Sequence, residues 1–433
     1  MMIGSDPYID VILGKNKIAT ITLIDDQILW QYDRVWQRSG YAVSPYLPLH
    51  GEIPPINTQR FLRNFLPEGN GLDELITCFR LSKNNTFGLI WALGSDIPGA
   101  LIIISPTQIV EKNPIFRIIT ENELTQRLDD REHFSLIVWD GKPRLSVAGV
   151  QDKINVIFNE EGKLGFGEGS LCSTHILKFE KQKLSHLVLN EYITMQLAKH
   201  CDITVANVQL MSFGKNSALL VERFDRKMIA STQVKRRHVI DGCQALNLPP
   251  DYKYERNFGD GRDVRHIRDG ASYSKLFNFA NLCINPAVTK DQILNWALFN
   301  VLIFNHDAHG KNISFFVNAK GISLAPFYDL VNIKMYPDFE QEMAMAFGDE
   351  FDGNLINAYQ LADFADSCHI SRTLVAIRLE SLIKKLNHAL DNEIKTLIKN
   401  EHEYDYFKKY QKIVSERSKH LLSQTDEIRK IVL

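Results

Sequence analysis

The stretch NHDAHGKN, Asn305 to Asn312, closes an apolar run of helical period, Asp291 to Phe304, and LAPFYDL, Leu324 to Leu330, follows within one loop's length. Carboxylates, amides, imidazoles and a lysine are gathered where a rigid element stops. A polar loop between a helix and a strand holds Asn, Asp and Gly for turn chemistry in any case. Its meaning therefore depends on what the rest of the chain supplies.

At 433 residues the chain is too long for one core, and about 150 residues per domain gives two or three domains. A formal charge of -2 excludes a globally basic nucleic-acid binder and leaves only short basic patches, at Lys235 to Arg237 and at Arg262, Arg265 and Arg268. The six cysteines are scattered, without a CxxC pair or zinc spacing, and read as buried thiols in a reducing compartment. The opening MMIGSDPYID carries acids where a secretory signal needs Lys or Arg and then an apolar core. The longest apolar segment, Phe87 to Ser105, is broken by Asp96 and Pro98. The expectation is a cytoplasmic protein with no membrane partner.

Along the first hundred residues, IDVILG, IATITLI and ILWQY read as strands joined by turns at Gly14 to Lys17 and Asp25 to Gln27. Short helices are expected over Thr58 to Phe65 and Leu72 to Leu81. Strands return in HFSLIVWDG, INVIFNEEGKLGFGEG and THILKF, then in VANVQLMSF and SALLVERF, with a helix over Leu184 to His200 between them. Beyond Leu276 nearly everything has helical period, including Leu374 to Ala389 and Tyr404 to Leu422, interrupted only around the opening motif. A β-rich amino-terminal half followed by a mainly helical carboxyl-terminal half is the layout of a two-lobed α+β enzyme.

Asp307 and Asn312 are five positions apart, the D-x-x-x-x-N spacing of a protein-kinase catalytic loop, and His306 supplies the histidine that opens such a motif. In that reading Asp307 faces a substrate hydroxyl. Asn312 and Asp329, seventeen residues further on, offer oxygen ligands that suit Mg²⁺. THILKF ends an alternating run on Lys178, and the next helix carries Glu191, placed to orient such a lysine; a strand lysine is also a common edge guard. GFGEG, Gly165 to Gly169, reads as hairpin chemistry. The better phosphate cradle is LSVAGVQDK, with the small residues Ser146, Ala148 and Gly149 before Lys153.

These segments resemble the HipA family of serine/threonine kinases, toxins of bacterial type II toxin–antitoxin pairs. The resemblance is carried in order by LSVAGVQDK, THILKF, NEYITMQLAKH, LVERFDR, CQALNLPPDYKYE, NHDAHGKNISFF and LAPFYDL, with SPYLPL, FLPEG and GSDIPGAL ahead of them. It implies a protein-kinase-like α+β fold with an amino-terminal subdomain at 1–106, an N-lobe at 107–226 and a helical C-lobe at 227–433. It implies ATP and Mg²⁺ as cofactors, Asp307 as the catalytic residue, and Asn312 and Asp329 as metal ligands. The ATP contacts it implies are the loop Ser146, Val147, Ala148, Gly149, Val150, Gln151 and Asp152, then Lys153, Lys178, His309, and the hinge residues Glu222 and Phe224. Ser146 matches a serine that family members autophosphorylate to switch themselves off. The implied partners are a helix-turn-helix antitoxin of HipB type, DNA mainly through that antitoxin, and a protein substrate of the aminoacyl-tRNA synthetase class, whose phosphorylation blocks translation and leads to persistence. The polar stretch Arg256 to Ser274 is where family knowledge transfers least. Two alternatives stay open: a small-molecule kinase on the same fold, marked by labelling of metabolites without protein, and a non-catalytic scaffold or corepressor for a DNA-binding antitoxin, indifferent to loss of Asp307.

Overall fold

The computed structural model describes residues 6–94, 96–105, 113–131, 133–144, 151–180, 184–399 and 401–432. The phosphate-loop residues Ser146, Val147, Ala148, Gly149 and Val150 lie outside the described residues. The chain forms two compact units. One comprises Met1–Lys181, Asn207–Pro250 and Phe315–Ile322, the other Gln182–Ala206, Asp251–Ser314 and Ser323–Leu433.

The first unit is β-rich. Its amino-terminal part is an antiparallel sheet in the order Gln27–Tyr32, Asn16–Ile24, Tyr8–Leu13, Leu101–Ile104. Alternation sends Ile9, Val11, Ile28 and Trp30 inward. There they meet the helix Pro55–Arg63, which starts on proline, and Phe61 packs edge-on against Trp30 at 5.8 Å. The second sheet is antiparallel throughout, in the order Val208–Phe213, Asn216–Glu222, His175–Phe179, Lys153–Phe158, Leu164–Glu168, Ile115–Ile118. Ile154, Val156, Leu177, Phe179, Ala218 and Leu220 alternate onto one face and pack with Trp139, Phe166, Leu124 and Leu128. The last two come from the helix Glu121–Asp129, whose first turn is capped by the Thr120 side chain.

A buried charge cluster joins these two sheets. The Asp225 carboxylate accepts from Arg223 Nε at 3.0 Å and Nη2 at 2.9 Å, from Arg226 Nη1 at 2.7 Å and from the Gly99 N–H at 2.8 Å. Arg226 also donates to the carbonyls of Ile97 and Gly99, at 2.7 and 2.5 Å. Asp96 lies 3.5 Å from Arg226 and 3.8 Å from Arg223, and shares the Ser173 hydroxyl with Arg223. Burial alone would push the Asp225 carboxyl up, but the two guanidinium groups hold it well below the usual carboxylate range. Gly99 has φ +81, and a Cβ there would lie 3.0 Å from His238 Nδ1 and 3.1 Å from the Val239 backbone, so only glycine suits this approach.

The second unit is mainly helical. From Trp296 to Ile303 every residue of the helix Pro286–Ile303 is buried, as expected of a helix apolar all round. Arg372–Leu397 packs against it and against Leu187–His200 and Glu401–Leu422. No helix among the described residues is long and apolar enough to cross a membrane.

Two expectations need correction. The helical reading beyond Leu276 misses a hairpin, Glu342–Phe347 with Glu350–Asp352, turning at Gly348 with φ +63. Met343 to Phe347 are all buried, so the strand shows no alternation to separate it from a helix. In HFSLIVWDG only Val138–Trp139 is strand. Ser135 intercepts the start of the run, its hydroxyl accepting from the Ile137 and Val138 N–H groups at 3.1 and 3.0 Å.

Replacing Asp225 with Asn is expected to remove about 3–5 kcal/mol of stability, because two guanidinium groups stay buried without their counter-charge. Urea unfolding followed by tryptophan fluorescence measures this. A second expectation concerns pH. Burial pushes His175, His238 and His306 each down to about 4 from 6.5. The unfolded chain therefore takes up these protons first as pH falls, so the contribution of the neutral imidazoles is full above pH 6.5 and is lost on the way to about 4. The cost is on the order of 3 kcal/mol per histidine, read as a urea midpoint that drops between pH 7 and pH 5.

Candidate active site

The helix Pro286–Ile303 ends because Phe304 turns left-handed, with φ +53 and its N–H on the Asn300 carbonyl. Asn305 repeats that backbone bond at 2.9 Å, and its side-chain amide donates to Asn300 Oδ1 at 3.1 Å. The Ile333 N–H donates to the Phe304 carbonyl at 3.1 Å and the Ala344 N–H to that of His306 at 2.9 Å. Burial keeps His306 neutral at physiological pH, so it supports the loop and carries no charge into it.

Past this anchored elbow the chain presents Asp307 with its side chain 48% exposed. The Asp307 carbonyl accepts from the His309 N–H at 2.8 Å and from Asn312 Nδ2 at 2.7 Å. The base candidate and the amide thus belong to one closed turn, which continues as the short 3₁₀ segment Gly310–Asn312. His309 Nδ1 accepts from the Lys311 N–H at 3.2 Å, and its Nε2 lies 3.8 Å from Asp307 Oδ1.

Asp329 is mounted separately. Phe327 stacks flat on Trp296 at 5.2 Å, and its N–H and carbonyl bond to the backbone at Thr204 and Ala206. On the other side Asn190 accepts from the Asn332 N–H at 2.8 Å and donates to the Asn332 carbonyl at 3.0 Å. Between these clamps Asp329 takes φ +59, a conformation Asp tolerates better than most residues. Tyr328 links the two loops, its hydroxyl donating to the Lys311 carbonyl at 2.6 Å and sharing a bond with Ser314 Oγ at 2.8 Å. The residues preceding Asn312 and Asp329 are therefore joined directly. Among the described residues no cluster of three or more His, Cys, Asp or Glu could hold a metal alone. The amide and carboxylate offered here are hard oxygen donors, which fit Mg²⁺ sharing its shell with water and phosphate.

In the first unit Lys153 and Lys178 are directly opposite each other on neighbouring antiparallel strands. Opposed residues share a face, here the one turned away from the apolar cluster, and both lysines are buried, at 3% and 6% exposure. Two lysines opposed across neighbouring strands are cationic groups of the kind that phosphate oxygens need. Gln151 donates to the Phe179 carbonyl at 3.0 Å, and the Asp152 carbonyl accepts the Phe179 N–H at 2.9 Å, which fixes the approach to Lys153. The Glu222 carboxylate is exposed and accepts from Asn207 at 2.8 Å. Phe224 sits in the tight turn closed by the Arg226 N–H on the Arg223 carbonyl, edge-on to Phe316 at 5.8 Å. Glu191 is buried on Leu187–His200 in the second unit.

Residue reading missed Tyr254, whose hydroxyl donates to Asp307 Oδ1 at 2.7 Å, and the supports Asn190 and Tyr328. All three fall inside segments that carry the family resemblance, but Asn190 and Tyr254 lie 142 and 53 positions from what they hold, and no spacing assigned any of the three a role.

A family model described as the HipA-like C-terminal domain matches residues 145–393, and one described as the HipA N-terminal domain matches residues 9–104. The chain belongs to the HipA family. It is similar to the serine/threonine-protein kinase toxin HipA of Shewanella oneidensis, 45% identical over 408 residues that make up 94% of this chain and 93% of that protein. A solved complex of HipA, HipB and operator DNA from Shewanella oneidensis contains a chain that superposes with TM-score 0.91 at 44% identity, covering 98% of this chain and all of that one. A putative kinase of Sinorhizobium fredii is 30% identical over 359 residues, 79% of this chain and 82% of that protein. As a HipA-family protein the chain is a serine/threonine-protein kinase of kinase-like α+β fold.

Replacing Asn190 with Ala leaves the N–H and carbonyl of Asn332 without partners, at about 1–3 kcal/mol for each buried group. A loss of roughly 2–4 kcal/mol is expected, with faster amide exchange at Asn332 as its local signature.

Proposed function

We propose that this protein is an ATP-dependent protein kinase acting as the toxin of a HipBA-like pair, restrained by a helix-turn-helix antitoxin that also carries the contact with operator DNA. Similarity to a HipA toxin over 94% of the chain is the observation that carries this reading. The solved relative bound to HipB and operator DNA supports the partner. An aminoacyl-tRNA synthetase is the proposed substrate, and Ser146 the site of self-inactivation.

The proposed chemistry assigns these side chains the roles that the family resemblance implies. The substrate serine or threonine oxygen attacks the γ-phosphorus of ATP as its proton passes to the Asp307 carboxylate, and the bond from that phosphorus to the departing ADP oxygen breaks. Lys153 and Lys178 offset phosphate charge, His309 lines the nucleotide, and the backbone at Glu222 and Phe224 reads the adenine edge. Asn312 and Asp329 would hold Mg²⁺, which when bound neutralises charge on the phosphate oxygens. A phosphate on Ser146, adding about two negative charges seven residues before Lys153, would compete with ATP for that lysine.

The test is the intact mass of the purified protein before and after incubation with Mg²⁺ and ATP, beside Asp307→Ala and Ser146→Ala. One added phosphate on wild type and none on either variant is expected, with transfer by Asp307→Ala reduced by about 10²–10⁴-fold. If wild type starts unphosphorylated and labels neither itself nor any lysate protein, the kinase reading is wrong. Labelling of small metabolites alone would move the substrate to that class.

A further inference from the structure

We infer that Tyr254 is a positioning residue for phosphate transfer, a phenol on an anchored segment that sets the orientation of the Asp307 carboxylate. The inference rests on the reading of Asp307 as the base.

Asp307 stands on a loop tip with a half-exposed side chain, and a carboxylate so placed has two torsions to settle before it can face a hydroxyl. Tyr254 Oη donates to Asp307 Oδ1 at 2.7 Å. A phenol keeps its proton at neutral pH and so acts as a donor towards a carboxylate. What distinguishes this contact from a chance surface bond is the anchoring of the backbone that carries the donor.

Backbone bonds fix the residues on both sides of Tyr254. The Gly310 N–H donates to the Lys253 carbonyl at 2.8 Å, which ties the segment to the catalytic turn. The Glu255 N–H donates to the Ala344 carbonyl at 2.9 Å, and the Gly270 N–H to the Glu255 carbonyl at 3.2 Å. The Glu255 side chain is a buried anchor. Arg268 donates to its Oε1 from Nε at 2.7 Å, with Nη2 2.5 Å away, and the Ala346 N–H donates to Oε2 at 2.8 Å. Gly270 approaches so closely that a Cβ there would lie 1.8 Å from the Tyr254 carbonyl oxygen. The ring itself stands edge-on to His309 at 5.1 Å. Tyr254 is itself 38% exposed, so it is the anchored backbone and the edge-on contact with His309 that set where the phenol is offered, and the carboxylate turns towards it. An error of about 1 Å in the placement of a reacting group costs on the order of 10²-fold in rate.

The test uses the full-length protein and measures γ-phosphate transfer from Mg²⁺-ATP to total lysate protein at several ATP concentrations. Four proteins are compared: wild type, Tyr254→Phe, Asp307→Asn and the double variant. Tyr254→Phe keeps the ring against His309 and removes only the donor. Its maximal rate is expected to fall about 10- to 100-fold with the half-saturating ATP concentration and the melting temperature unchanged. In the Asp307→Asn background the same change should have no further effect, because the phenol acts through that carboxylate. An unchanged rate in Tyr254→Phe, or an equal loss in both backgrounds, overturns the inference while leaving the base assignment intact. A faster Tyr254→Phe also overturns it, by showing that the phenol blocks the substrate hydroxyl. Full activity in Asp307→Asn, or no transfer by wild type, instead removes the reading on which the inference stands.

Discussion

A carboxylate held between two guanidinium groups inside the first unit sets the geometry on which its functional surface depends. Asp225 with Arg223 and Arg226 leaves one positive charge over, and Asp96 lies within 3.8 Å of both arginines to offset it. Such a set need not add net stability, since desolvating four ions cancels much of their attraction. Its consequence is geometric. Arg226 reads the carbonyls of Ile97 and Gly99, so the segment entering the strand Leu101–Ile104 and the turn leaving the strand Asn216–Glu222 have one mutual arrangement. Asn216–Glu222 pairs Leu219 with Lys178, and Lys178 pairs with Lys153. The two lysines and Glu222 thus belong to one sheet, and Phe224 follows it within a single tight turn.

The second unit solves the same problem with backbone. Phe304 and Asp329 both sit at positive φ, each a strain of order 1–3 kcal/mol that persists only where the surroundings over-determine it. For Phe304 the surroundings are the buried last turns of the helix Pro286–Ile303, and for Asp329 they are the Trp296 stack on one side and Asn190 on the other. Tyr328 then bonds the two loops to each other. Strain at these two points bends the chain sharply enough to place Asp307, Asn312 and Asp329 on turns rooted in the most buried part of the unit. Loops carry the chemistry and the helix carries the precision.

This division explains what could be read in advance. Turns at Gly14 to Lys17 and Asp25 to Gln27, the apolar helices and the alternating run that ends on Lys178 are local patterns, and each is present. Alternation was enough to turn Lys178 away from the apolar face. It could not show that Lys153 lies opposite, because strand order is a property of the sheet and not of either strand. The hairpin Glu342–Asp352 was lost for the opposite reason: burial on both faces erases the period that would reveal it. The helix Glu121–Asp129 did carry its signal, in Thr120 with Glu123 three positions on, but lies in a polar stretch with few apolar residues. Asp307 and Asn312 were legible as a motif because their spacing lies within one loop, and Asp329 because it follows the next strand pair closely. The residues that hold them, Asn190 and Tyr254, are 142 and 53 positions from their partners and have no spacing to recognise.

The same contrast accounts for the polar stretch Arg256 to Ser274. It departs from Glu255 and returns to it, the Gly270 N–H on the Glu255 carbonyl and the Ala271 N–H on that of Tyr252 closing its neck. Arg268 crosses that neck to bind Glu255 from the returning segment, so the excursion is sealed at its base by two backbone bonds and an ion pair to a buried carboxylate. Beyond the neck the loop exposes Phe258 and the charges of Asp260, Arg262 and Asp263. Doubling the length of such a loop costs only about 0.6 kcal/mol in closure entropy. Change in its outer part therefore need not reach Tyr254 or Asp307. The outer part of the loop and the segment that carries Tyr254 are thus mechanically separate, divided at the bonds that Glu255 makes.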